Sequence, residues 1–212
     1  MTALLTASDV GVVVDEQVLL PTTTLTIDQG QTLAVRGENG AGKTTLLRVL
    51  AGLMPATSGD VLLEGEPLHI RRRAHRGAIA AMIGAPPLSR DLTLAEQLRF
   101  IRATWGDDAG TGERQTVAVL EELGIASLKM RYPSELSSGQ LQLFCLALTL
   151  ARPSRVLLLD EPEQRLDAHR QGLVADALRR RSGAGCAIVF ATHSTALVEA
   201  IGSDVLTVGE NE

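Results

Sequence analysis

Residues 37–44 read Gly-Glu-Asn-Gly-Ala-Gly-Lys-Thr and match the pattern G-x-x-x-x-G-K-[ST] at each fixed position. Glycines let a backbone wrap closely around an anion and point successive N–H groups at it. The lysine of this pattern, here Lys43, supplies a positive charge for the outer phosphates of a nucleotide, and the hydroxyl of Thr44 is placed to bind Mg²⁺. We therefore predict a nucleotide phosphate site in this segment, called the phosphate loop below.

The segments on both sides of the phosphate loop predict a strand before it and a helix after it. Leu33–Arg36 is a short β-type run. Apolar residues recur at helical spacing from 46 to 50, until Gly52 and Pro55 end the pattern. A helix in this position aims its positive N-terminal end at a bound anion. The residues predicted to contact the nucleotide from this side are Gly37, Glu38, Asn39, Gly40, Ala41, Gly42, Lys43, Thr44 and Thr45.

A pair of acidic residues follows a second predicted strand. The apolar run Val156–Leu159 leads directly to Asp160 and Glu161, and ligands of open α/β sheets bind at such carboxyl ends. On its own, the pair could be an acidic turn before Pro162. Together with a phosphate loop, it predicts the second half of a nucleotide-hydrolysing site. In that site Asp160 binds Mg²⁺, and Glu161 orients or deprotonates the attacking water.

The remaining pattern predicts a doubly wound α/β fold. A third apolar run lies at 187–192, and a helical pattern at about 167–181 separates it from the second run, so strands and helices alternate. Residues 1–30 and 60–70 are rich in β-type segments and predict a small antiparallel β subdomain. Residues 86–136 lack β-type runs, and within them Leu94–Ala103 and Thr116–Leu123 have helical spacing, so they predict an inserted helical subdomain. We expect all 212 residues to form one domain made of these parts.

The composition excludes several classes of protein. The formal net charge is −5, and the aromatic residues are only three Phe, one Trp and one Tyr. Such a chain lacks the positive field and the stacking rings that nucleic-acid binding uses, so we expect no nucleic-acid partner. No stretch reaches the roughly 18–20 consecutive apolar residues of a membrane-spanning helix. We interpret Cys145 and Cys186 as two buried thiols, because neither has the spacing of metal ligands.

Three further motifs follow the phosphate loop in a fixed order. Residues 136–140, Leu-Ser-Ser-Gly-Gln, resemble the LSGGQ signature of the ATP-binding cassette (ABC) family, with Ser138 in place of the first Gly. Residues 164–167, Gln-Arg-Leu-Asp, stand at the position of that family's D-loop, and His193 stands at the position of its switch histidine. The match covers about residues 20–195, so the chain resembles an ABC nucleotide-binding domain with a P-loop NTPase core.

This resemblance implies a head-to-tail dimer with a second ATP-binding subunit, either the same chain or a similar one. Two ATP molecules would lie between the subunits, each held by the phosphate loop of one and the signature of the other. The signature residues implied to contact ATP are Ser137, Ser138, Gly139 and Gln140. The implied catalytic residues are Glu161, His193 and Lys43, with His193 at the γ-phosphate. The resemblance implies ATP and Mg²⁺ as cofactors, with Thr44 and Asp160 as the metal ligands.

The sequence departs from the family in four places. Val14 stands where the family generally has an aromatic residue that stacks on adenine, so we expect weaker ATP affinity or relaxed base selectivity. Gly84 stands where the Q-loop glutamine is expected, and Gln97 lies too far along the chain to replace it. Arg165 of the D-loop occupies a position that is often small. The segment 141–148 is unusually apolar, which fits either a deeply buried helix or an apolar contact with a partner.

A basic cluster occupies residues 71–76, Arg-Arg-Arg-Ala-His-Arg. We interpret it as a solvated connection between the β subdomain and the next strand. Contact with lipid headgroups or a membrane partner, and contact with nucleic acid, stay open as alternatives.

Taken together, the motifs predict an ATP-hydrolysing subunit of an ABC transporter. By resemblance, it would be a cytoplasmic protein on the inner face of the cell membrane, attached to separate membrane-spanning subunits. Two alternatives stay open: a soluble ABC ATPase that does not serve transport, and a nucleotide-responsive subunit with little hydrolysis.

Overall fold

A parallel sheet carries the phosphate loop at the end of one of its strands. The computed structural model describes residues 3–209. In chain order its elements are β1 (Leu5–Val14), β2 (Gln17–Ile27), β3 (Thr32–Arg36), α1 (Lys43–Leu50), β4 (Ser58–Leu63), β5 (Glu66–Pro67), α2 (Arg73–Ala78), β6 (Ile79–Met82), α3 (Leu94–Thr104), α4 (Ala109–Glu122), α5 (Ser138–Leu150), β7 (Val156–Asp160), α6 (Ala168–Gly183), β8 (Ala187–Ala191), α7 (Thr195–Ile201) and β9 (Asp204–Thr207). Two 3₁₀ turns, Ala126–Leu128 and Pro133–Glu135, lie between α4 and α5.

The strand order of the parallel sheet is β6-β7-β8-β3-β9. Each neighbouring pair in it is parallel. The carboxyl ends of β3, β7 and β8 therefore lie side by side at one edge of the sheet, where ligands of such folds bind. This arrangement confirms the doubly wound α/β prediction. The sequence analysis missed the edge strand β9, whose residues are mostly exposed.

The two faces of the parallel sheet bury different sets of side chains. On one face, Leu157 and Phe190 belong to a buried cluster that also includes apolar side chains of α3, α4, α5 and α6. On the other face, Leu158 and Val189 pack with α1 and with β1 and β2. Successive side chains of a strand point to opposite faces, so a strand covered on both sides must be apolar throughout. This explains why β7 and β8 are continuous apolar runs.

An antiparallel sheet with strand order β2-β1-β4-β5 lies beside this core. Its strands fall in the segments 1–30 and 60–70 that we assigned to a β subdomain, except that β4 already begins at Ser58. The assignment of the whole chain to one domain stays a prediction. Residues 1–2 and 210–212, which that prediction included, lie outside the described residues.

The predicted helical segment 86–136 contains α3, α4 and the two 3₁₀ turns. Thr93 and Glu96 form a reciprocal capping box at the start of α3. The next helix, α4, begins before the predicted start at Thr116, because the Asp108 carboxylate accepts a hydrogen bond from the Thr111 N–H and caps the first turn. Among residues 3–209 we find no helix whose length and apolar character would let it cross a bilayer.

One sequence-based interpretation agrees with the structure in part, and another needs correction. The arginines of the basic cluster 71–76 are exposed between β5 and β6, as in a solvated connection, although residues 73–76 begin α2 and the buried His75 accepts a hydrogen bond from the His69 N–H through its Nδ1. Only Cys145 is a buried thiol, since Cys186 is partly exposed. The apolar segment after the signature agrees with the deep-burial interpretation, because α5 is buried from Leu143 to Leu150.

Candidate functional site

Three chain segments meet at the carboxyl edge of the parallel sheet. The phosphate loop follows β3, residues 160–167 (the acidic loop) follow β7, and residues 192–194 (the histidine loop) follow β8. Backbone hydrogen bonds join them, because Glu161 N donates to Ala191 O at 2.9 Å and Thr192 N donates to Val35 O at 3.2 Å. The sheet therefore brings together the predicted phosphate-binding and catalytic residues.

The phosphate loop approaches neighbouring backbone too closely to accept side chains at two of its glycines. A Cβ atom on Gly37 would lie 2.4 Å from Val208 O, and one on Gly42 would lie 2.7 Å from Leu19 O. Both glycines also have positive φ, 148° and 101°. The motif therefore needs glycine at these positions for two reasons, backbone conformation and close packing.

Lys43 is held against the loop that precedes it. Its Nζ donates hydrogen bonds to Gly37 O and Glu38 O, both at 2.9 Å, and the residue is only 8% exposed. An ammonium group has three protons, so these two bonds leave one proton for a phosphate oxygen. Because α1 begins at Lys43, its N-terminal N–H groups point at the same place.

Thr44 and Asp160 bring two hard oxygen atoms together at the sheet edge. The Thr44 hydroxyl donates to Asp160 Oδ2 at 2.8 Å, which joins the start of α1 to the end of β7. Magnesium is typically held by one or two protein oxygens together with phosphate oxygens and water. The donor set present here fits that mode of binding.

Glu161 and His193 face each other across the acidic and histidine loops. His193 Nε2 lies 3.7 Å from Glu161 Oε1, and both side chains are partly exposed. Gln164 donates to Glu161 Oε2 at 2.6 Å. Glu161 has a φ of 47°, a left-handed conformation that costs a non-glycine residue about 1–3 kcal/mol when the surroundings impose it. Gln142 supports this backbone by donating to Glu161 O at 3.0 Å.

Gln142 and Gln164 are site residues to which the sequence analysis gave no role. Gln142 lies two positions after the signature, on the helix that the signature begins. Its amide contact with the acidic loop depends on tertiary packing and leaves no local sequence pattern. Gln164 follows Glu161 by three residues, a spacing typical of a turn contact, and this spacing could have indicated it.

The signature occupies the start of α5. Ser137 is the N-cap, with its hydroxyl accepting from Gln140 N and its own N–H donating to Gln140 Oε1. A Cβ on the buried Gly139 would lie 2.8 Å from Arg165 O, so the signature packs directly against the acidic loop. Ser137 and Ser138 are exposed.

The predicted binding residues thus form two groups within the chain. Among residues 3–209, no hydrogen bond connects the signature to the phosphate loop. The signature helix α5 packs on α3 and α4, whereas the phosphate loop joins β3 to α1. Each group exposes backbone N–H or hydroxyl donors suited to a phosphate.

Two of the departures from the family pattern have clear structural counterparts. Val14 ends β1 and is 48% exposed, while Val18 of β2 lines a cleft of about 1560 Å³ with the phosphate loop and His193. Gly84 is exposed and has no side chain, so it offers no amide after β6. The Gln97 amide is fully used inside the fold, because it donates to Ser89 O and Leu92 O and accepts from Ser89 N.

Comparison with known proteins gives a consistent set of relatives. The family model described as ABC transporter matches residues 20–164. The chain is 34% identical to the cytochrome c biogenesis ATP-binding export protein CcmA of Xanthomonas campestris pv. campestris, over 85% of this chain and 82% of that protein. It is 34% identical to the nickel import ATP-binding protein NikE of Rhodospirillum rubrum, over 92% of this chain and 73% of that protein. A solved ATP-binding subunit of an ABC transporter superposes with a TM-score of 0.86 and 26% identity, over 97% of this chain and 85% of the other.

Proposed function

The chain belongs to the ABC transporter family as an ATP-binding subunit whose ATPase activity drives transport, and from this premise we propose how its residues do so. In this proposal the chain pairs head to tail with a second ATP-binding subunit around two ATP molecules. Each ATP lies between the phosphate loop of one subunit and the signature of the other. Hydrolysis removes the γ-phosphate that both subunits bind, and the pair then separates.

Within residues 3–209 the signature makes no hydrogen bond to the phosphate loop, although it packs against the acidic loop, and this arrangement of the donors supports the dimer. Lys43, Thr44, Asp160, Glu161 and His193 meet at the sheet edge, whereas the signature exposes its own donors on α5. A hydroxyl, glycine N–H groups and a helix N-terminus form an anion site that needs a ligand from outside its own subunit. A triphosphate held by the second subunit supplies that ligand.

At the hydrolytic site, each residue has a distinct role in the proposal. The phosphate loop N–H groups and the third ammonium proton of Lys43 bind the outer phosphates. Thr44 and Asp160 would hold Mg²⁺, which would supply positive charge beside the phosphate oxygens. Glu161 accepts the proton of the attacking water, and His193 holds the γ-phosphate and that water from the other side.

ABC transporter ATP-binding subunits work with membrane partners, and the relatives are named for export and import. We extend this to separate membrane-spanning chains, with this subunit on the cytoplasmic face of the cell membrane. Co-purification of a protein with several spans of roughly 20 apolar residues would test that extension. Recovery of the chain without any such protein from detergent-solubilised membranes would contradict it.

Cysteine cross-linking tests the head-to-tail geometry. Asn39→Cys and Ser138→Cys place thiols on the exposed tip of the phosphate loop and on the signature. The two variants are mixed with oxidant and a non-hydrolysable ATP analogue, and a disulfide-linked dimer is expected only in the mixture and only with nucleotide. The native thiols give little background, because Cys145 is buried and burial raises the pKa of Cys186 to about 11.

Each single variant alone is the matched control, since a head-to-tail pair keeps two copies of the same position apart. Equal cross-linking in the single variants and the mixture, or cross-linking without nucleotide, would contradict the proposed geometry. Phosphate release by the wild-type chain, with Lys43→Ala as the blank, measures the ATPase activity in parallel.

A further inference from the structure

A buried carboxylate lies next to the site and has no role in the account above. Glu163 belongs to the acidic loop, two residues after Glu161, and is only 7% exposed. Its Oε1 accepts a hydrogen bond from the hydroxyl of Thr192, which is fully buried at the end of β8. Within residues 3–209 its Oε2 is buried without a hydrogen-bond partner.

This placement is costly for stability. A carboxylate removed from water loses solvation that one hydrogen bond does not fully replace. Burial raises the pKa of Glu163, the Thr192 hydrogen bond opposes that rise, and the nearby Glu161 adds to it. An apolar side chain of similar size would avoid the cost, so folding alone does not explain a glutamate at this position.

The hydrogen bonds of Glu163 lead to the backbone on both sides of His193. The Thr192 hydroxyl that donates to Glu163 also accepts from Ser194 N at 2.9 Å. The bonds therefore run from Ser194 N through Thr192 Oγ1 to Glu163 Oε1. Thr192 and Ser194 are the residues immediately before and after His193, so this chain of bonds fixes the histidine loop against the acidic loop.

The other backbone bonds near the histidine loop, from Glu161 N to Ala191 O and from Thr192 N to Val35 O, anchor only its N-terminal side. Anchoring at that side alone leaves His193 and Ser194 free to turn, and the imidazole of His193 would then move relative to the Glu161 carboxylate. A second attachment through Glu163 removes that freedom. The cap at the start of α7 does not join the two loops, because there Ser194 Oγ accepts from Leu197 N within its own segment.

We propose that Glu163 is a positioning residue for ATP hydrolysis, which acts through Thr192 to hold His193 in place relative to Glu161. The inference rests on the roles proposed above for Glu161 and His193. Glu163 itself touches neither nucleotide nor water in this proposal. Its contribution is to geometry, so it should affect turnover and not nucleotide affinity.

Steady-state ATPase kinetics of the full chain test this role. Glu163→Ala should lower kcat about tenfold, with KM for ATP changed less than about twofold, since displacement of a catalytic group by a fraction of an ångström affects chemistry more than binding. Glu163→Gln should retain at least about a third of wild-type kcat, because its amide oxygen can still accept from Thr192. Glu199→Ala, an exposed glutamate on α7, is the matched control and should behave as wild type.

A double-mutant cycle separates action through Thr192 from an independent effect. Thr192→Val removes the hydroxyl with little change of volume and should lower kcat as Glu163→Ala does. If Glu163 acts through Thr192, the double variant falls within about twofold of the worse single variant, whereas independent effects multiply.

Several results would overturn the inference while the ATPase assignment stands. They are wild-type kcat in Glu163→Ala, a rise in KM at constant kcat, or a loss in Glu163→Gln as large as in Glu163→Ala. If Glu163→Ala does not fold, as judged by its thermal melt, wild-type kcat in Thr192→Val overturns it instead. An inactive wild-type chain would contradict the proposed function and not this inference alone.

Discussion

Replacing Glu161 by Gln removes the proposed proton acceptor and leaves the shape of the side chain nearly unchanged. General acid–base assistance contributes about 10²–10⁴-fold to a rate. At 1.36 kcal/mol per factor of ten, its loss raises the barrier by about 3–5 kcal/mol. The carboxylates on either side of it in the chain do not replace it as a base, because Asp160 accepts a hydrogen bond from the Thr44 hydroxyl and Glu163 is buried and bonded to Thr192. We therefore expect kcat to fall at least about 100-fold.

The same substitution should leave the fold intact. The hydrogen bond from Gln164 to Glu161 Oε2 can be kept by the amide oxygen, and Gln142 donates to the backbone of residue 161, which is unchanged. A substitution at a partly exposed site of this kind typically costs less than about 1 kcal/mol of unfolding free energy. The variant should then bind ATP, fail to hydrolyse it and accumulate as the closed dimer.

Two measurements check this expectation. Single-turnover phosphate release gives the rate, and light scattering in excess ATP and Mg²⁺ gives the mass, which should be twice that of the nucleotide-free chain. Glu199→Gln, which neutralises an exposed carboxylate on α7, is the matched control. Turnover of Glu161→Gln above a tenth of wild type would refute its role as base, and an ATP-saturated variant that stays monomeric would refute the dimer mechanism.

Three further predictions concern other parts of the chain. Gly139→Ala should lower ATPase activity about tenfold or more, because the new Cβ would lie 2.8 Å from Arg165 O and displace the signature; unchanged activity would mean that this contact is not needed. Glu122→Gln should cost about 1.5–3 kcal/mol of unfolding free energy at pH 7, because it weakens the charge-assisted hydrogen bonds from Arg180 and Arg181. Burial raises the pKa of Glu122, but Arg181 and its neighbouring arginine lower that pKa more, so the carboxylate stabilises the fold above pH 4.5 and loses this effect as the pH falls below 4.5. The unfolding free energies of variant and wild type, measured by urea denaturation, should therefore converge in acid, and a difference that stays constant with pH would contradict this. Val14→Tyr should tighten ATP binding by about 5–150-fold in a fluorescence titration, since a stacked ring contributes about 1–3 kcal/mol, and equal affinities would show that no base stacks there.

The elements that the sequence predicted best are those whose local pattern matches their environment. The strands β7 and β8 are covered on both faces and must be apolar throughout, so a continuous apolar run in the sequence is enough to predict their burial. The prediction for α4 was too short, because Gly110 and Gly112 have poor helix propensity and give no helical signal. In the structure the Asp108 cap stabilises this first turn and offsets their low propensity. The edge strand β9 exists only because β3 is available to pair with it, which no local pattern records.

The candidate site divides in the same way. Motif spacing predicts the residues of the three loops, and the parallel sheet brings Thr44 to Asp160 and Glu161 to His193. The contact of Gly139 with the acidic loop depends on how two distant segments pack. The bond between Glu163 and Thr192 also joins separate loops, so neither contact could be derived before the fold was known.

The buried cluster shared by the helical segment and the parallel sheet limits how this protein can be recombined with its relatives. Leu98 and Leu120 are fully buried in the same cluster as Phe144 of α5 and Phe190 of β8. A chimera that exchanged only residues 86–136 would set foreign side chains against a resident α5 and leave either voids or clashes, each typically costing 1–3 kcal/mol. An exchange from residue 86 through the end of α5 keeps the contacts among α3, α4 and α5 and leaves only those with the parallel sheet and α6 to be matched. A relative that acquired a new helical subdomain by recombination should therefore have acquired α5, the signature helix, together with it.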